Sequence, residues 1–194
     1  SLSGQSPITA WGQIAVGIKA YDYMDGTSNN YGVRSVILLV DSVEVFRSTM
    51  DGFLPNENRM INAWTDYEEY ATRNSWFMRS QILPGNTWRM LQADDDRGVV
   101  TINEERPYRF CYVLEDLYGN RRTYRFVVQG KKRVIEPLKK GKHYLKWNQG
   151  NIIQQPGMSL VIPKGMLYED MDLNCKVIAD SLDISYDYQL HDKA

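Results

Sequence analysis

The chain has 194 residues, of which 43% are hydrophobic and 24% are charged, and its 23 basic and 24 acidic side chains leave a net charge of −1. This balance excludes a broadly basic nucleic-acid binder. The longest purely apolar run, Val36 to Val40, is far shorter than the roughly 20 residues that span a bilayer, which excludes a transmembrane helix. A chain of this size can bury a core without a disulfide or a metal.

Alternating apolar residues near the start of the chain predict β-strands. From Ile14 to Ala20 every second residue is apolar, which is typical of a half-buried strand. Two further strands, at 33–40 and 43–48, flank the dipeptide Asp41-Ser42 and predict a hairpin with a short connection. The first part of the chain is therefore expected to be β-structure.

One short helix is predicted, inside an insertion that covers roughly residues 49–99. Thr65 and Glu68 have the spacing of a capping box at a helix start. Tyr67 and Tyr70 follow at helical spacing and form a short apolar stripe, which favours packing of the helix on a small core.

The clearest hairpin covers residues 106–130. Even-numbered apolar and aromatic residues share one face on both of its strands, and Leu117-Tyr118-Gly119 forms a three-residue loop with glycine at the position that favours a left-handed residue. The expected register places two aromatic pairs on the buried face, Tyr112 opposite Tyr124 and Phe110 opposite Phe126.

Residues 131–142 hold six Lys or Arg against one Glu and include Pro137. We interpret them as a flexible basic linker, and the alternative is a site for an anionic glycan or for the acidic segment that follows. Strand alternation resumes after the linker, with a strand at Met158–Ile162 after the turn Pro156-Gly157. These residues predict a small β subdomain at 143–194, or a domain that is cut short.

The few cysteines and histidines limit the chemistry that the sequence predicts. Cys111 and Cys175 are expected to be free thiols because they belong to different subdomains, and the alternative is a disulfide between those subdomains. His143 and His191 stand in neither an H-x-H nor an H-x-x-x-H arrangement, so a three-ligand catalytic zinc site is hard to assemble. We therefore predict no catalytic residue, no metal ligand and no cofactor in this chain.

Aromatic residues of the insertion are the candidate ligand-binding site. Trp64, Tyr67, Trp76 and Trp88 could form a platform for sugar rings or a peptide strand, because Trp and Tyr offer rigid contact area at low entropic cost. The alternative is a satellite core beneath a long insertion.

Acidic clusters are interpreted as solvated. A run of three acids, 94–96, is expected in a turn rather than in a calcium site, because consecutive side chains point in different directions. In the first loop, Asp22, Asp25 and Asn29 are better spaced for a cation, although Asx turns are the default. The pairs 68–69 and 104–105 could supply glycosidase carboxylates, but surface solvation is the expected role.

Two stretches of the chain resemble bacterial immunoglobulin-like modules. One is Tyr21-Asp22, a polar loop and then the string from Tyr31 to Asp41, and the other is the turn Asp116-Leu117-Tyr118-Gly119-Asn120 in the last hairpin. This resemblance implies an immunoglobulin-like β-sandwich at 1–130. The expected fold class is thus all-β, a sandwich with a short helix in an insertion, then the linker 131–142 and a smaller β subdomain.

Longer strings narrow the resemblance. They are IKAYDYMDGT from Ile18, ENRMINAWTDYEEY from Glu57, and QPGM from Gln155 with LVIP and GMLY after it. Together they resemble the region after the catalytic domain in exported lysostaphin/LytM-type zinc metallopeptidases of Gram-negative anaerobes (peptidase family M, number twenty-three). The likeness runs from about Ile8 to Asp192.

The peptidase domain of the resembled family binds zinc through H-x-x-x-D and H-x-H motifs, and neither can be transferred to this chain. Trp147 stands four residues after His143, and Asp192-Lys193 follows His191. The resemblance implies a non-catalytic accessory module of a cell-envelope zinc metallopeptidase that cleaves peptidoglycan peptides, with zinc only in the separate peptidase domain. The alternative is a self-standing glycan-binding or adhesive module.

The resemblance also implies a location and partners. The location is periplasmic or extracellular, and the partners are the peptidase domain of the same polypeptide and an envelope polymer such as peptidoglycan. No nucleic acid is expected as a partner. Because Ser1-Leu2-Ser3-Gly4 lacks both an initiating Met and an apolar signal core, we expect the sequence to be a piece of a longer protein.

Overall fold

The computed structural model describes residues 7–20, 22–23, 30–31, 33–52, 54–179 and 186–190. The chain divides into two compact units, of which the first comprises residues 1–82 and 87–136 and the second comprises residues 83–86 and 137–194. The domain limits at 130, 142 and 143 that the sequence indicated stay a prediction.

Strands dominate the first unit. They are β1 Ile8–Ala10, β2 Gly12–Ile14, β3 Gly17–Ile18, β4 Asp22–Tyr23, β5 Asn30–Tyr31, β6 Ser35–Val40, β7 Val43–Thr49, β8 Met78–Arg79, β9 Leu91–Ala93, β10 Val100–Ile102, β11 Pro107–Glu115 and β12 Arg121–Gly130. The helical segments are a 3-10 turn Pro55–Glu57, α1 Asn58–Trp64 and α2 Tyr67–Arg73. The predicted all-β class is confirmed, and the immunoglobulin-like form of the sandwich stays a prediction.

Six strands form the main sheet in the order β1-β12-β11-β6-β7-β9. The β11–β12 hairpin has the predicted register, with Phe110 opposite Phe126 and Tyr112 opposite Tyr124. Its loop closes through a 3.1 Å hydrogen bond from the Asp116 backbone N–H to the Asn120 carbonyl. Gly119 adopts φ 85°, the left-handed conformation that the loop type requires. The strand register and the conformation of the loop glycine therefore both match the hairpin that the sequence predicts.

The β6–β7 hairpin is also confirmed. Asp41 and Ser42 form its two-residue connection with φ values of 48° and 71°, as in a type I′ turn. The Asp41 carboxylate accepts a 2.9 Å hydrogen bond from the backbone N–H of Arg109 and a 2.6 Å bond from the guanidinium of Arg106. These bonds attach the connection to β11.

The core of the first unit lies on the even-numbered face of β11. Side chains from the short strands β2, β8 and β10 cover this face. The principal buried residues of the cluster are Val36, Leu38, Phe46, Met78, Val100, Ile102, Tyr108, Phe110, Tyr112, Leu114 and Val128. Burying a large apolar side chain contributes about 1.5–3 kcal/mol, so this cluster accounts for much of the stability of the unit.

The single strand predicted from Ile14 to Ala20 is wrong in extent. The structure has two short strands instead, because β2 pairs with β10 whereas β3 pairs with β8. Val16 lies between them, and its carbonyl accepts a 2.9 Å hydrogen bond from the Ser80 backbone N–H. Alternation alone could not show that the partner strand changes within this segment.

The predicted capping box at Thr65 is also wrong. Thr65 follows the last residue of α1, and its hydroxyl donates a 3.1 Å hydrogen bond to the Ile61 carbonyl. The cap of α2 is Asp66, whose carboxylate accepts a 3.2 Å bond from the Glu69 backbone N–H. Helix α1 was not predicted. The apolar stripe predicted on α2 does not pack on a core, because Tyr67 and Tyr70 are both exposed.

The second unit consists of paired short strands. They are β13 Tyr144–Leu145, β14 Asn151–Gln155, β15 Met158–Ile162, β16 Met171–Asp172, β17 Cys175–Ala179 and β18 Tyr186–Leu190. The pairs, all antiparallel, are β13 with β16, β14 with β15, and β17 with β18. Residues 83–86 belong to this unit, and the Gly85 backbone N–H donates to the Tyr168 carbonyl at 2.6 Å. The strand predicted at Met158–Ile162 is confirmed.

Candidate functional site

A groove of about 680 Å³ opens in the first unit beside β12, and we name it the β12 groove. One wall is the even-numbered face of the β11–β12 hairpin near its loop, and the other is the segment of β3 and the residues after it. The lining residues are Gly17, Ile18, Lys19, Ala20, Val33, Tyr112, Leu114, Glu115, Asp116, Asn120, Arg122, Tyr124 and Phe126.

The aromatic wall of the β12 groove is graded from buried to exposed. Phe126 is half-buried and stacks on Phe110 with ring centroids 5.0 Å apart and planes 17° apart. Tyr124, two residues closer to the loop, keeps 51% of its surface exposed although it stands opposite buried Tyr112. The expectation that both aromatic pairs are buried is therefore wrong for Tyr124. An exposed ring on a rigid strand is a surface against which a ligand can pack.

Tyr112 forms the floor of the groove and is held in a fixed position. Its hydroxyl lies 2.7 Å from the Ser80 hydroxyl, and both residues are buried. Burial raises the pKa of Tyr112 well above its ordinary value, and the hydrogen bond with Ser80 partly offsets that rise. The Tyr112 hydroxyl is therefore neutral across the physiological pH range.

The acidic residues of the groove are engaged by the protein itself. Glu115 accepts a 2.6 Å hydrogen bond from Arg121. Asp116 accepts bonds from the backbone N–H groups of Tyr118 and Asn120, at 2.8 and 2.9 Å, and a 2.7 Å bond from the Asn120 side chain. These donors, the Asn120 side chain first, hold the pKa of Asp116 below its usual value. Arg121 thus neutralises Glu115, whereas the partners of Asp116 are uncharged and leave its negative charge in the groove.

Arg122 is a cation of the groove lining. Among the residues that the structure describes, no acidic side chain forms an ion pair with it, and it shares a strand face with Tyr124 and Phe126. A guanidinium offers a planar set of donors that suits carboxylates and other oxyanions. The β12 groove can therefore hold a ligand with an apolar or planar face next to a negative charge.

A second groove of about 580 Å³ lies within the second unit. Its lining residues are Gly141, Lys142, His143, Gln155, Asp172, Leu173, Asn174, Cys175 and Val177. Nε2 of His143 is 3.1 Å from Nε2 of Gln155, and Asp172 accepts a 2.8 Å hydrogen bond from the Gly141 backbone N–H. These contacts use the polar groups of the groove for internal bonds.

The second unit contains the segment that can be compared with a known family. The profile of the Zu5-like domain matches residues 142–194. This Zu5-like match covers β13 to β18 and nearly all of the second groove. Comparisons with curated proteins and with solved structures give no match. The Zu5-like match concerns one part of the chain and leaves the β12 groove outside it.

The structure separates the four aromatic residues that the sequence grouped as a platform. Trp64 and Trp88 are 5% and 3% exposed and meet edge to face with centroids 5.6 Å apart. Tyr67 and Trp76 are 65% and 38% exposed, and Trp76 packs edge to face on Tyr70 at 5.8 Å. The platform stays a prediction, and only its exposed members can be reached from solvent.

The acidic turn at 94–96 has the hydrogen bonds of a turn. The Asp94 carboxylate accepts a 2.9 Å bond from the Gly98 backbone N–H, and Arg97 and Gly98 have φ values of 58° and 81°. In the first loop, Asp25 and Asn29 lie outside the described residues, as does His191. Within the described ranges, no three His, Cys, Asp or Glu residues form a group that could hold a metal ion.

Two further findings concern chemistry and the membrane. Cys111 and Cys175 are free, half-buried thiols in the structure. No helix within the described part of the chain is long and apolar enough to cross a membrane.

The sequence contained a signal for the β12 groove that the prediction did not use. The strand Arg-Arg-Thr-Tyr-Arg-Phe at 121–126 has three arginines next to aromatic residues, immediately after a hairpin loop. Arginines are uncommon in a strand that is covered on both faces. The arginines thus indicated that the loop end of β12 is exposed, although its aromatic residues alternate like those of a core strand.

Proposed function

We propose that this chain is a non-catalytic accessory module of an exported cell-envelope zinc metallopeptidase and that it binds the wall polymer or a protein partner in the β12 groove. The observation that carries binding is the half-exposed ring of Tyr124 beside Arg122, which lacks an acidic partner among the described residues. The resemblance of the strings from Ile18, Glu57 and Gln155 to the region after LytM-type peptidase domains supports the parentage.

Peptidoglycan has the chemistry that the groove can recognise. Its sugar rings have apolar faces that pack on Tyr and Trp, and its stem peptides end in carboxylates that pair with arginine. An accessory module that binds this polymer would hold the separate peptidase domain near its substrate. Periplasmic or extracellular location and an immunoglobulin-like form of the sandwich are parts of the same proposal.

Sedimentation with insoluble peptidoglycan tests the proposal. Tyr124→Ala should weaken binding about tenfold, because an exposed aromatic contact at the centre of an interface is worth about 1–2 kcal/mol. Tyr118→Ala is the matched control, since Tyr118 is an exposed tyrosine of the same hairpin and does not line the groove. Equal binding by the wild-type chain and Tyr124→Ala would contradict the groove as the binding site.

The parentage has its own test. If this chain follows a LytM-type peptidase domain, the coding sequence upstream of Ser1 must encode the H-x-x-x-D and H-x-H motifs. Deleting the present residues from that longer protein should then reduce cleavage of insoluble peptidoglycan more than cleavage of a short soluble peptide, because only the insoluble polymer needs to be bound. Absence of the motifs upstream would remove this part of the proposal.

The second candidate function is a self-standing glycan-binding or adhesive module that uses the predicted aromatic platform. The exposure of Tyr67 and Trp76 on α2 and just after it favours this candidate. In the same sedimentation assay, Trp76→Ala would then weaken binding while Tyr124→Ala would not. Trp88→Ala is unsuitable as a probe because Trp88 is buried in the core cluster.

A further inference from the structure

In the described part of the chain, the main sheet has an open edge beside the β12 groove. β11 pairs with β12 along its whole length, from Arg121 to Gly130, on one side. On the other side β1 pairs only with Val128–Gly130. Within the described residues, the stretch Arg121–Val127 therefore has no partner strand on this side, and every side chain in it except Phe126 is exposed.

The hydrogen bonds at the two ends of the hairpin show which backbone groups face the open edge. Asn120 and Gly130 are bonded to the residues that flank β11: the Asp116 N–H donates to the Asn120 carbonyl, and the Gly130 N–H donates to the Arg106 carbonyl. Lys131 N–H instead donates to the Ala10 carbonyl of β1. Because the direction alternates along a strand, even-numbered residues point to β11 and odd-numbered residues point away. The N–H and C=O groups directed at the open edge are those of Arg121, Thr123, Arg125 and Val127.

The side chains along this edge add positive charge and an apolar surface. Arg122 and Arg125 form no ion pair with an acidic residue among those that the structure describes, whereas Arg121 is paired with Glu115. Tyr124 and Phe126 face the β12 groove from the same stretch. An extended segment placed against the edge would have alternate side chains in the groove and the others beside Thr123 and Arg125.

We propose that the edge of β12 from Arg121 to Val127 binds an extended, carboxylate-rich peptide segment by adding it to the main sheet as a further strand. Backbone donors and acceptors in a row match a peptide backbone, which is how strand addition supplies affinity. Arg122 and Arg125, which have no acidic partner among the described residues, select acidic side chains by charge complementarity. The proposal deepens the proposed function, because it gives the class of partner that occupies the β12 groove.

The register of β1 defines a competing occupant. Ile8 pairs with Val128 in a parallel arrangement, so residues before Ile8 would run along the same edge if they continued the strand. Of these residues, 1–6 lie outside the described part of the chain. The experiment therefore includes a chain that begins at Pro7.

Binding of a fluorescent seven-residue peptide, capped at both ends and carrying glutamates on both of its faces with valines between them, tests the proposal by anisotropy with the full chain. Thr123→Pro removes one outward-facing N–H and leaves the ladder to β11 unchanged, because proline is tolerated at an open edge. It should weaken binding at least about tenfold. Thr123→Val is the matched control and should stay within about twofold, because it keeps the N–H and the β-branched shape.

Three further measurements separate strand addition from simple charge attraction. Methylating the peptide amides that face β12 should weaken binding as strongly as Thr123→Pro does, because both remove main-chain bonds. Replacing the glutamates with lysines should abolish binding, and Arg122→Glu with Arg125→Glu should restore binding of the lysine peptide. Circular dichroism must show that each variant is folded. A single-stranded oligonucleotide that competes for the edge would overturn the peptide assignment.

Each remaining outcome has a definite meaning. Equal binding by wild type and folded Thr123→Pro, or by methylated and unmethylated peptide, overturns strand addition. Binding only by the chain that begins at Pro7 overturns a separate partner and assigns the edge to the protein's own first residues. If the peptide fails but peptidoglycan sedimentation still depends on Tyr124, this inference falls and the proposed function stands. If the peptide binds but peptidoglycan does not, the wall-binding proposal falls and the edge site stands.

Discussion

The two ends of β12 have the same alternation of residues but opposite environments. At the base, Tyr108, Phe110 and Val128 are buried in the core of the first unit. Near the loop, Arg122 and Tyr124 occupy equivalent positions on the same face and are exposed. Val128 belongs to the core cluster of the first unit, whereas Arg122 and Tyr124 line the β12 groove. The alternation of residues along a strand shows which side chains share a face. The elements packed on that face decide whether those side chains are buried in the core or exposed in a binding groove.

The largest effect expected from this comparison is at the base. Phe110→Ala removes a buried ring that stacks on Phe126, so it should lower the free energy of unfolding by about 3–5 kcal/mol. Chemical denaturation followed by tryptophan fluorescence measures the change. If Phe110→Ala lowered the free energy of unfolding by less than about 1 kcal/mol, the base would be no better packed than the loop end. That result would contradict the proposed difference between the two ends.

The next effect concerns the hydrogen bond between the Tyr112 and Ser80 hydroxyls. Tyr112→Phe leaves the buried Ser80 hydroxyl without this partner, so it should cost about 1–2 kcal/mol in the free energy of unfolding. Adding Ser80→Ala should cost less than the sum of the two single changes, because the orphaned hydroxyl is then gone. Additive losses in the double variant would mean that the two hydroxyls do not interact.

At the loop end a change of the same chemical size should have almost no effect on folding. Tyr124→Ala should alter the free energy of unfolding by about 0.5 kcal/mol or less, since half of the ring is already in water. The same variant is the one expected to lose ligand binding. A loss of stability as large as that of Phe110→Ala would identify Tyr124 as a core residue and leave the groove without its exposed ring.

Local signals in the sequence were sufficient to predict which residues of β11 and β12 pair. They were not sufficient to predict which of those residues are covered by other elements and therefore buried. The alternation and the glycine in the 117–119 loop predicted the register of β11 and β12 correctly, because both features act within a few residues. The exposure of Tyr124 depends on where the segment after β3 lies, about a hundred residues earlier in the chain. Similarly, Thr65 with Glu68 and Asp66 with Glu69 are overlapping helix-cap signals. The preceding helix α1, which ends at Trp64, decides between them in favour of Asp66.

The smallest predicted effect is a change in melting temperature when a carboxylate at one end of the hairpin loses its charge. Asp41 is the carboxylate at the base, and Asp116 is the carboxylate at the loop. The backbone N–H of Arg109 and then the guanidinium of Arg106 hold the pKa of Asp41 below its ordinary value of 3.8. A carboxylate whose pKa is lower in the folded state stabilises the protein fully above the unfolded value, and this contribution is lost as the pH falls through the folded pKa. Asp41→Asn keeps a side chain that tolerates φ 48° and removes only the charge. The melting temperature of the variant should thus lie slightly below that of the wild type at pH 7, and the gap should close as the pH falls below 3.8.

Asp116 gives the matched measurement at the loop, because its pKa is lowered as well, first by the Asn120 side chain. Asp116→Asn should show the same sign and the same closing of the gap in acid, measured by circular dichroism melts from pH 7 downward. The two variants differ in what they should do to function. The loop carboxylate lines the β12 groove and the Asp41 carboxylate does not, so only Asp116→Asn should also change peptide affinity. If the difference in melting temperature between either variant and the wild type widened in acid, the sign of the assigned pKa shift would be reversed. An effect of Asp41→Asn on peptide affinity would show that the base and the loop end of the hairpin are not independent.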